Sequence, residues 1–462
     1  MPLIDPSDSR PIHFVGVAGA GMSALAELLV RRGATVTGCD NNLAGAADLK
    51  ALGLQLQEGH DPLHVNGARA VVVTSAVPKN HPELERARTL GIPVIRRAEA
   101  LGEAVAGTTL VAVAGTHGKT TTTVLTTEAL RAAGIDATGV VGGRVGSWGG
   151  NLSEGGEDVF VVEADEYDRS FLALAPTIAV VTNVEADHLD IYRDLEDIRT
   201  TFAQFVRGAR KIVLCADDAG ANTLLVPPAA EIFRYGIASP DARVRAVRLE
   251  LAPESSRYDV EFDDETLGEV RLPVPGRHNV LNSLAAVATG LALGAKVPAL
   301  AAGLARFAGV ERRFQRLGET GGVAIVDDYA HNPTKVRAAL ETARVAFPGR
   351  RLVAAFQPHL FTRTRDFARE FGESLSVADV VLLADIYPAR EKPIEGVTSS
   401  LVADAVTRAG KSVVWQGPRT GLADALASVV RPGDVVVTIG AGDITRTGPE
   451  LIARLGGATA KA

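Results

Sequence analysis

The stretch VAVAGTHGKTTTTV, residues 111–124, carries the strongest local signal in this chain. An apolar run ends at Gly115, a short turn follows, and Lys119 opens a helical segment, which is the strand–turn–helix order of a phosphate-binding loop. The usual pattern is G-x-x-x-x-G-K-[ST], and here Val113 stands where its first glycine belongs. A glycine turn with a threonine cap and no ligand is the alternative interpretation.

The residue types of this loop suit a magnesium nucleotide. Backbone N–H groups at a helix N-terminus point at an anion, and the helix dipole adds roughly half a positive charge. Lys119 can supply an ammonium group to phosphates, and the Thr120 hydroxyl can hold Mg²⁺. Threonine is a poor helix former, so a helix that opens with residues 120–123, all threonine, needs a local reason. Their hydroxyls can bind orphan N–H groups or phosphate oxygens.

Two further apolar runs end in acidic residues. Residues 161–171, VVEADEYDRSF, and residues 178–190, IAVVTNVEADHLD, present Glu163, Asp165, Glu166, Asp168, Glu185, Asp187 and His188. Taken alone, each cluster is typical of a solvated turn or a surface histidine. Because carboxyl ends of parallel strands meet at one sheet edge, three such ends together predict a site for two hard cations, held by oxygen ligands and one imidazole.

Composition limits the function classes. A chain of 462 residues predicts about three domains. Its 48 Lys and Arg against 55 Asp and Glu give a net charge of −7, which does not support nucleic-acid binding. Cys39 and Cys215 are the only cysteines; we expect small buried hydrophobes rather than a disulfide framework or a cysteine-based zinc site. No signal peptide and no run of ~20 apolar residues is visible, so we expect a cytoplasmic protein without membrane insertion.

The chain shows three blocks in which short apolar runs alternate with amphipathic stretches, a pattern that predicts α/β domains with parallel sheets. We place the boundaries near residues 107 and 317, giving domains 1–107, 108–316 and 317–462. Within the second domain, residues 230–275 alternate in a way that predicts a small antiparallel portion.

Six motifs recur through these blocks in one order: GTHGKTT, EADE, TNVEADHLD, GRHNVLNSLAA (276–286), ERRFQRLG (311–318) and DDYAHNPTK (327–335). In this order they resemble the Mur ligase family, ATP-dependent amide-forming enzymes of peptidoglycan precursor synthesis. The opening HFVGVAGAGMSALAELL and the segment QPHLFTRTRDF (357–367) are similar to the alanine-adding branch. Residues 189–209 contain no lysine, and this absence favours the same branch while leaving the second magnesium's ligands incomplete.

The resemblance implies an N-terminal Rossmann-like domain for a UDP sugar, a central P-loop ATPase sheet and a C-terminal Rossmann-like domain that admits the amino acid. It also implies that L-alanine is joined to the lactyl carboxylate of UDP-N-acetylmuramate through an acyl phosphate. The reaction would require Mg²⁺, consume ATP and release ADP and phosphate. Two anions must approach each other in this reaction, so positive charge from Lys119 and magnesium is needed.

Site residues follow from the resemblance position by position. The implied catalytic residues are Lys119, Glu163, His188 and Arg313, and the implied metal ligands are Thr120, Glu163 and His188. The implied nucleotide-binding residues are Gly115, Thr116, His117, Gly118, Lys119, Thr120, Thr121, His278, Asn279, Asn282, Asp328 and His331. The implied substrate-binding residues are Gly19, Gly21, Met22, Asp40, Ser75, His188, Tyr329, His359 and Arg363.

Simpler interpretations exist for several of these positions. Asn279 or Asn282 could cap the alanine-rich helix that follows, and Arg312 could be a surface charge. DDYAHNP would otherwise indicate a proline-stopped turn, and the 357–367 segment a basic loop.

Two other functions remain open from the sequence. Gly16, Gly19 and Gly21 follow a strand, and Asp40 ends the next one, as in a dinucleotide-dependent dehydrogenase. Their spacing is GxxGxG rather than GxGxxG, which weakens that hypothesis. A ligase of the same family that recycles peptides is the other alternative. The choice among L-alanine, L-serine and glycine, and the oligomeric state, stay open.

Overall fold

A computed structural model describes residues 3–5, 7–189, 191–389 and 391–459. The chain forms three β-sheets and divides into two compact units. The first unit comprises Met1–Arg248, Tyr258–Arg271 and Leu281–Ala308. The second unit comprises Leu249–Arg257, Leu272–Val280 and Gly309–Ala462. The domain boundaries near residues 107 and 317 stay a prediction. Within the described ranges, no helix combines the length and apolar character needed to cross a bilayer.

The N-terminal sheet has five parallel strands in the order β3-β2-β1-β4-β5, a Rossmann-like arrangement. Its strands are β1 Ile12–Val15, β2 Val36–Asp40, β3 Gln55–Glu58, β4 Ala70–Val73 and β5 Val94–Arg96, and its helices are α1 Ala20–Arg31, α2 Ala47–Ala51, α3 Pro82–Thr89 and α4 Arg97–Ala104. The strand β3 has no fully buried residue, so it shows none of the apolar pattern that marks the other strands of this sheet.

The central sheet has ten strands in the order β15-β14-β13-β12-β11-β10-β6-β9-β7-β8. They are β6 Thr109–Ala114, β7 Ala137–Val145, β8 Gly150–Ser153, β9 Val159–Glu163, β10 Ile178–Val181, β11 Lys211–Cys215, β12 Glu231–Gly236, β13 Val244–Leu251, β14 Ser256–Phe262 and β15 Glu265–Leu272. The helices are α5 Lys119–Ala132, α6 Leu195–Val206, α7 Ala219–Asn222, α8 Arg277–Ala292 and α9 Val297–Leu304.

Parallel pairing brings the ends of β9, β6 and β10 to one edge of this sheet. Each of these strands is almost wholly buried, as expected for strands covered on both faces. The polar residues that follow them, including Glu163 at the end of β9, are therefore placed side by side. This is the arrangement that the sequence predicts for a phosphate and metal site.

The tail of the central sheet differs in part from the predicted antiparallel strands. The first of its strands, β12, pairs in parallel with both β11 and β13. The antiparallel portion begins later: β14 and β15 are neighbours joined only by Asp263 and Asp264, both with positive φ, and a two-residue link between neighbouring strands makes a hairpin. In β12 only Phe233, Tyr235 and Gly236 are buried, and a partly buried strand does not by itself specify its direction.

The C-terminal sheet has six strands in the order β16-β17-β21-β18-β19-β20, parallel except for the pair β16 and β17. The strands are β16 Gln315–Thr320, β17 Val323–Asp328, β18 Leu352–Phe356, β19 Val380–Ala384, β20 Val413–Gly417 and β21 Val435–Ile439. The helices are α10 Pro333–Ala346, α11 Phe361–Leu375, α12 Ser400–Arg408, α13 Arg419–Val429 and α14 Thr447–Thr459. Apolar clusters cover both faces of the sheet, and the fold class predicted from the sequence is confirmed.

Candidate active site

The turn between β6 and α5 needs glycine at two positions. Gly115 has φ 142° and Gly118 has φ 79°, conformations that L-residues with side chains rarely adopt. A Cβ at Gly115 would overlap Thr182 Oγ1, and a Cβ at Gly118 would overlap Asn282 Oδ1. The shortened loop therefore lies tightly against the end of β10 and the helix α8.

Side chains at the end of β10 hold this loop in place. The His117 N–H donates to Asn183 Oδ1 at 2.7 Å, and Thr182 Oγ1 donates to the His117 carbonyl at 2.6 Å. The Glu185 N–H donates to Thr116 Oγ1 at 3.0 Å, and Glu185 Oε2 lies 3.0 Å from His117 Nε2. Thr116 and His117 thus position the loop through its neighbours on the next strand.

Lys119 lies at the first turn of α5 with its ammonium group largely enclosed. Its Nζ donates to Glu166 Oε2 at 2.6 Å and to the Gly115 carbonyl at 2.8 Å. Burial opposes the charge, but the carboxylates of Glu166, Asp165 and Glu163 outweigh that effect and raise the pKa of Lys119. The side chain is therefore a charged ammonium group held between the Gly115 carbonyl and Glu166.

Thr120 and Glu163 form a second contact at the same edge. Thr120 Oγ1 donates to Glu163 Oε1 at 3.0 Å, and the Gly142 N–H donates to Glu163 Oε2 at 2.7 Å. The two side chains come from the start of α5 and the end of β9. A hydroxyl and a carboxylate oxygen in contact are the donor pair that Mg²⁺ uses in nucleotide sites.

Glu166 connects Lys119 to His188. Glu166 is buried, with 3 % of its surface exposed; its Oε2 holds Lys119, while its Oε1 has no hydrogen-bond partner and lies 3.6 Å from His188 Nε2. His188 itself has φ 53°, and its ring packs edge-on against Tyr167 at 5.1 Å. Lys119, Glu163 and His188 are thus brought to one edge, as the sequence predicts. Glu166 was visible in the acidic cluster, but nothing in the sequence singled it out as the connecting residue.

The threonine run packs inward. All of residues 120–123 are buried, Thr122 Oγ1 donates to Asn282 Oδ1 at 3.2 Å, and Thr123 Oγ1 donates to the Lys119 carbonyl at 2.9 Å. Asn282 lies inside α8 rather than at its start, so the capping interpretation is wrong for this residue. Asn279 lies within the first turn of α8 and donates to the Pro275 carbonyl at 2.8 Å, so it is not the cap either.

A cavity of about 440 Å³ lies beside this edge within the first unit. The N-terminal sheet contributes Gly19, Gly21, Met22, Asp40 and Arg97 to its lining, and the central sheet contributes Glu163 and Asp165. Asp40 is fixed because its Oδ2 accepts a hydrogen bond from the Ala18 N–H at 3.1 Å. Ser75 is exposed and lies in the same loop as the lining residues Thr74 and Ala76, but it does not line the cavity.

In the second unit, the end of β17 gathers an acid, two guanidinium groups and an aromatic ring. Asp328 accepts hydrogen bonds from the Phe314 and Ala330 N–H groups, each at 2.8 Å; burial raises its pKa, and the charge of Arg313 acts in the opposite direction. The guanidinium carbons of Arg312 and Arg313 lie 4.7 and 5.0 Å from the centre of the Tyr329 ring.

Arg312 is not a surface charge. Its Nε donates to the buried Asp327 at 3.1 Å, and its Nη2 donates to the Gly440 carbonyl at 2.6 Å. Arg312 therefore ties the segment before β16 to the sheet, which leaves Arg313 as the arginine of this pair with a candidate role toward ligand.

Three further predicted residues lie close together in the second unit. The His331 ring is 5.3 Å from the Tyr329 ring and 6.0 Å from the His359 ring, and Arg363 Nη1 lies 3.4 Å from His359 Nδ1. Arg363 is buried, whereas the side chain of Arg365 is 52 % exposed and pairs with Asp366.

His278 lies apart from this group, next to Thr342 Oγ1 at 3.5 Å. Burial lowers its pKa to about 4. The ring is therefore neutral near pH 7 and can donate one hydrogen bond and accept another.

Three family profiles match in order along the chain: "Mur ligase family, catalytic domain" over residues 11–109, "Mur ligase middle domain" over residues 113–290 and "Mur ligase, glutamate ligase domain" over residues 312–442.

Individual relatives cover nearly the whole chain. A protein of Acidothermus cellulolyticus named UDP-N-acetylmuramate--L-alanine ligase is 45% identical, covering 95% of this chain and 94% of its own. One of the same name from Anaeromyxobacter sp. is 46% identical over 97% and 98%.

Solved structures agree with this. The UDP-N-acetylmuramate-alanine ligase of Thermotoga maritima has a TM-score of 0.82 at 28% identity, covering 97% of this chain and 99% of its own. A murein peptide ligase from Psychrobacter arcticus has a TM-score of 0.71 at 26% identity over 96% and 98%. The resemblance found in the sequence is confirmed, and the chain belongs to the Mur ligase family of ATP-dependent, amide-bond-forming enzymes.

Proposed function

We propose that this enzyme joins L-alanine to the lactyl carboxylate of UDP-N-acetylmuramate, using ATP with Mg²⁺ and releasing ADP and phosphate. Relatives at 44–46% identity over nearly the full chain are named for this reaction. The single observation that carries the proposal is the shared cavity, in which the glycine loop before α1 and the acidic end of β9 line one space.

The cavity suits a long acceptor that is anionic at both ends. At one end, glycines and the N-terminus of α1 favour a diphosphate, because backbone N–H groups and the helix dipole point at it. Gly21 allows Arg97 to approach closely: a Cβ there would lie 2.9 Å from Arg97 Nη1. At the other end, Glu163 and Asp165 mark where the acceptor's carboxylate reaches the phosphate-binding loop.

The residues at the loop fit ATP and magnesium. Gly115 and Gly118 give the loop the positive-φ backbone that it needs, Lys119 carries a positive charge, and Thr120, Glu163 and His188 offer the oxygen and nitrogen ligands that divalent cations accept. When bound, magnesium supplies positive charge that offsets repulsion between phosphates and carboxylate. Lys119 would leave the Gly115 carbonyl for the phosphates, and Glu166 would keep its ammonium group oriented.

The reaction has two steps with different nucleophiles, and water must be kept from the intermediate between them. The acceptor carboxylate attacks the terminal phosphorus of ATP to form an acyl phosphate, and the amine of L-alanine displaces phosphate from it. Holding the reactants side by side provides the proximity effect, and exclusion of water protects the acyl phosphate.

We assign the second-unit residues to the nucleotide and the amino acid. Arg313 would stabilise charge on the transferred phosphate, and Arg363 beside His359 would pair with the carboxylate of the amino acid. Asp328, Tyr329 and His331 would contact ATP and substrate, and His278 and Asn279 the adenine. Because both ATP and a UDP sugar are cytoplasmic metabolites, we place the enzyme in the cytoplasm.

The test is phosphate release with UDP-N-acetylmuramate and a panel of L-alanine, L-serine, glycine and an L-alanine-containing peptide. We expect the highest kcat/KM with L-alanine and a product whose mass shows one added alanyl residue. A preference for the peptide would establish the recycling ligase instead. Phosphate release that needs neither sugar nor amine would refute a ligase, and saturable binding of NADH would support the dehydrogenase.

A further inference from the structure

A group of metal-ligating side chains lies in the N-terminal sheet, apart from the loop that binds phosphate in our proposal. It consists of His13, Cys39, His60, His64, His81 and Glu83, and we call it the histidine–cysteine cluster. Four of the nine histidines in the chain are in it. The members come from β1, β2, the segment after β3 and the start of α3, so only the folded sheet brings them together.

The charge of Glu83 needs an explanation. Its side chain is fully buried, and its ion-pair partners among the described residues are His60, His64 and His81. The Asp61 N–H also donates to Glu83 Oε1 at 3.1 Å. Histidine is not a permanent cation near pH 7, and a buried carboxylate is costly unless it is paired with charge or coordinates a metal.

The distances within the cluster match a metal site. Cys39 Sγ lies 3.4 Å from His13 Nε2 and 3.2 Å from each Glu83 oxygen, and His64 Nδ1 lies 3.0 Å from Glu83 Oε1. One ligand atom from each of these four residues can be chosen so that all lie within 4.8 Å of one another. Tetrahedral zinc with bonds of about 2.0–2.3 Å places its ligand atoms roughly 3.3–3.7 Å apart, close to these values.

The surroundings also orient the ligands. His13 Nδ1 lies 2.9 Å from Thr37 Oγ1, so this nitrogen is occupied and Nε2 faces Cys39. Metal-bound histidines commonly have their second nitrogen hydrogen-bonded in this way.

We propose that His13, Cys39, His64 and Glu83 form a structural Zn²⁺ site. Thiolate, imidazole and carboxylate are ligands that zinc accepts together, and four protein ligands make a closed, structural site. The metal would join β1, β2, the short helix Pro62–Val65 and α3, and the Cys39 thiol would release its proton to solvent on binding. Cys39 is buried, as expected from the sequence, and the proposal adds to it a role as a zinc ligand that the sequence did not suggest.

The remaining members of the cluster form its outer layer. His60 Nδ1 lies 3.3 Å from Cys39 Sγ, and His81 Nδ1 is buried without a hydrogen-bond partner, 3.9 Å from Glu83 Oε2. The neighbour of Cys39 along β2, Asp40, lines the substrate cavity. Zinc would therefore hold the strand that carries this residue.

The experiment uses the full chain, stripped with a chelator and kept in excess Mg²⁺ so that oxygen-rich sites are occupied. Zn²⁺ is titrated by calorimetry and Co²⁺ by absorption. We expect one metal per chain, a thiolate-to-cobalt charge-transfer band, and a rise in Tm with Zn²⁺. Cys39→Ser should abolish the band and weaken zinc binding by about 100-fold or more, while the matched variant Cys215→Ser, a buried cysteine of β11, should behave as the wild type.

His64→Gln is the second variant, because His64 is partly exposed and its replacement disturbs packing least. It should weaken zinc binding while keeping the unliganded Tm near that of the wild type. The proposal is overturned if the wild type binds no zinc, or if Cys39→Ser and His64→Gln bind it as tightly as Cys215→Ser does. None of these outcomes depends on ligase activity.

Discussion

Glu166 and Glu83 are both buried glutamates of the first unit, yet their surroundings differ. Glu166 holds the ammonium group of Lys119 with one oxygen and leaves the other without a hydrogen bond, beside His188. Both Glu83 oxygens are in contact with the Cys39 thiol, and its remaining side-chain partners are histidines. One carboxylate thus has a permanent cation and an oxygen without a hydrogen bond, while the other is surrounded by imidazoles and a thiol.

In our proposals this difference in surroundings distinguishes a site that reacts from a site that holds structure. A charged lysine and an open oxygen can exchange partners when a phosphate or a cation arrives, with little rearrangement of the backbone. A carboxylate enclosed by imidazoles and a thiol has no such freedom, and a metal bound there would be closed off from substrate. Burial alone therefore does not mark a catalytic carboxylate; the chemical type of its partners does.

Of the changes considered, removal of the Lys119 ammonium group should reduce activity most. For Lys119→Ala we expect ATP-dependent amide formation to fall by about 10³-fold or more, because the variant lacks the ammonium group that would offset the charge of the phosphates. UDP-N-acetylmuramate affinity, measured by calorimetry, should stay within about two-fold, since Lys119 does not line the cavity. Lys50→Ala, at an exposed position, is the control; equal losses of sugar binding and turnover would contradict this division of roles.

Neutralising Glu166 should have a smaller effect. Glu166→Gln keeps the shape of the side chain but removes the charge that orients Lys119 and His188, so we expect kcat to fall by roughly 10- to 100-fold, as for outer-layer partners of metal ligands. Steady-state phosphate release measures this, and the exposed Glu157→Gln should leave kcat unchanged. A change below about two-fold would show that Glu166 is not needed to position either side chain.

Substitution of His188 tests the group that lies beside the Glu166 oxygen without a hydrogen bond. His188→Ala should raise the magnesium concentration needed for half-maximal turnover by about 10-fold, because one ligand or its partner is lost. A magnesium titration at saturating ATP checks this, and His188→Asn, which retains a hydrogen-bonding side chain, should fall between the two. If the magnesium profile of His188→Ala matches that of the wild type, the proposed metal role is wrong.

His278 offers a contrast to both glutamate sites, because its pKa is shifted by burial and not by a carboxylate. Burial lowers its pKa to about 4, against about 6.5 when unfolded, so the unfolded chain binds an extra proton between these values and stability falls as pH falls through that window. Because part of the ring stays exposed, we expect a loss of about 1 kcal/mol between pH 7 and pH 5.

The variant His278→Gln should lack this contribution. The free energy of unfolding of both proteins is measured by denaturant titration across that pH range. The difference between wild type and variant should change by about 1 kcal/mol from pH 7 to pH 5, because only the wild type loses the His278 contribution. Parallel curves would mean that His278 takes up its proton equally in the folded and unfolded states.

Most of the central site could be anticipated because its signals are local. A buried strand that ends in a glycine turn, a lysine and a helix specifies its own backbone, and parallel pairing then aligns neighbouring strand ends. The connecting role of Glu166 could not be read in the same way, because three acidic residues follow β9 within a few positions and only packing selects the one that turns toward Lys119. The strand β3 could not be anticipated either, because its exposed edge residues carry no apolar pattern.

Backbone preferences and apolar periodicity act over a few residues, so the fold class and the strand–turn–helix order of the loop at residues 111–124 can be predicted from the sequence. Which distant side chains meet depends on the folded sheet. His13, Cys39, His64 and Glu83 lie far apart along the chain, and no spacing rule connects them. They come together because parallel strands and their crossover helices place residues from separate segments on the same face of one sheet, and that register is a property of the folded sheet alone.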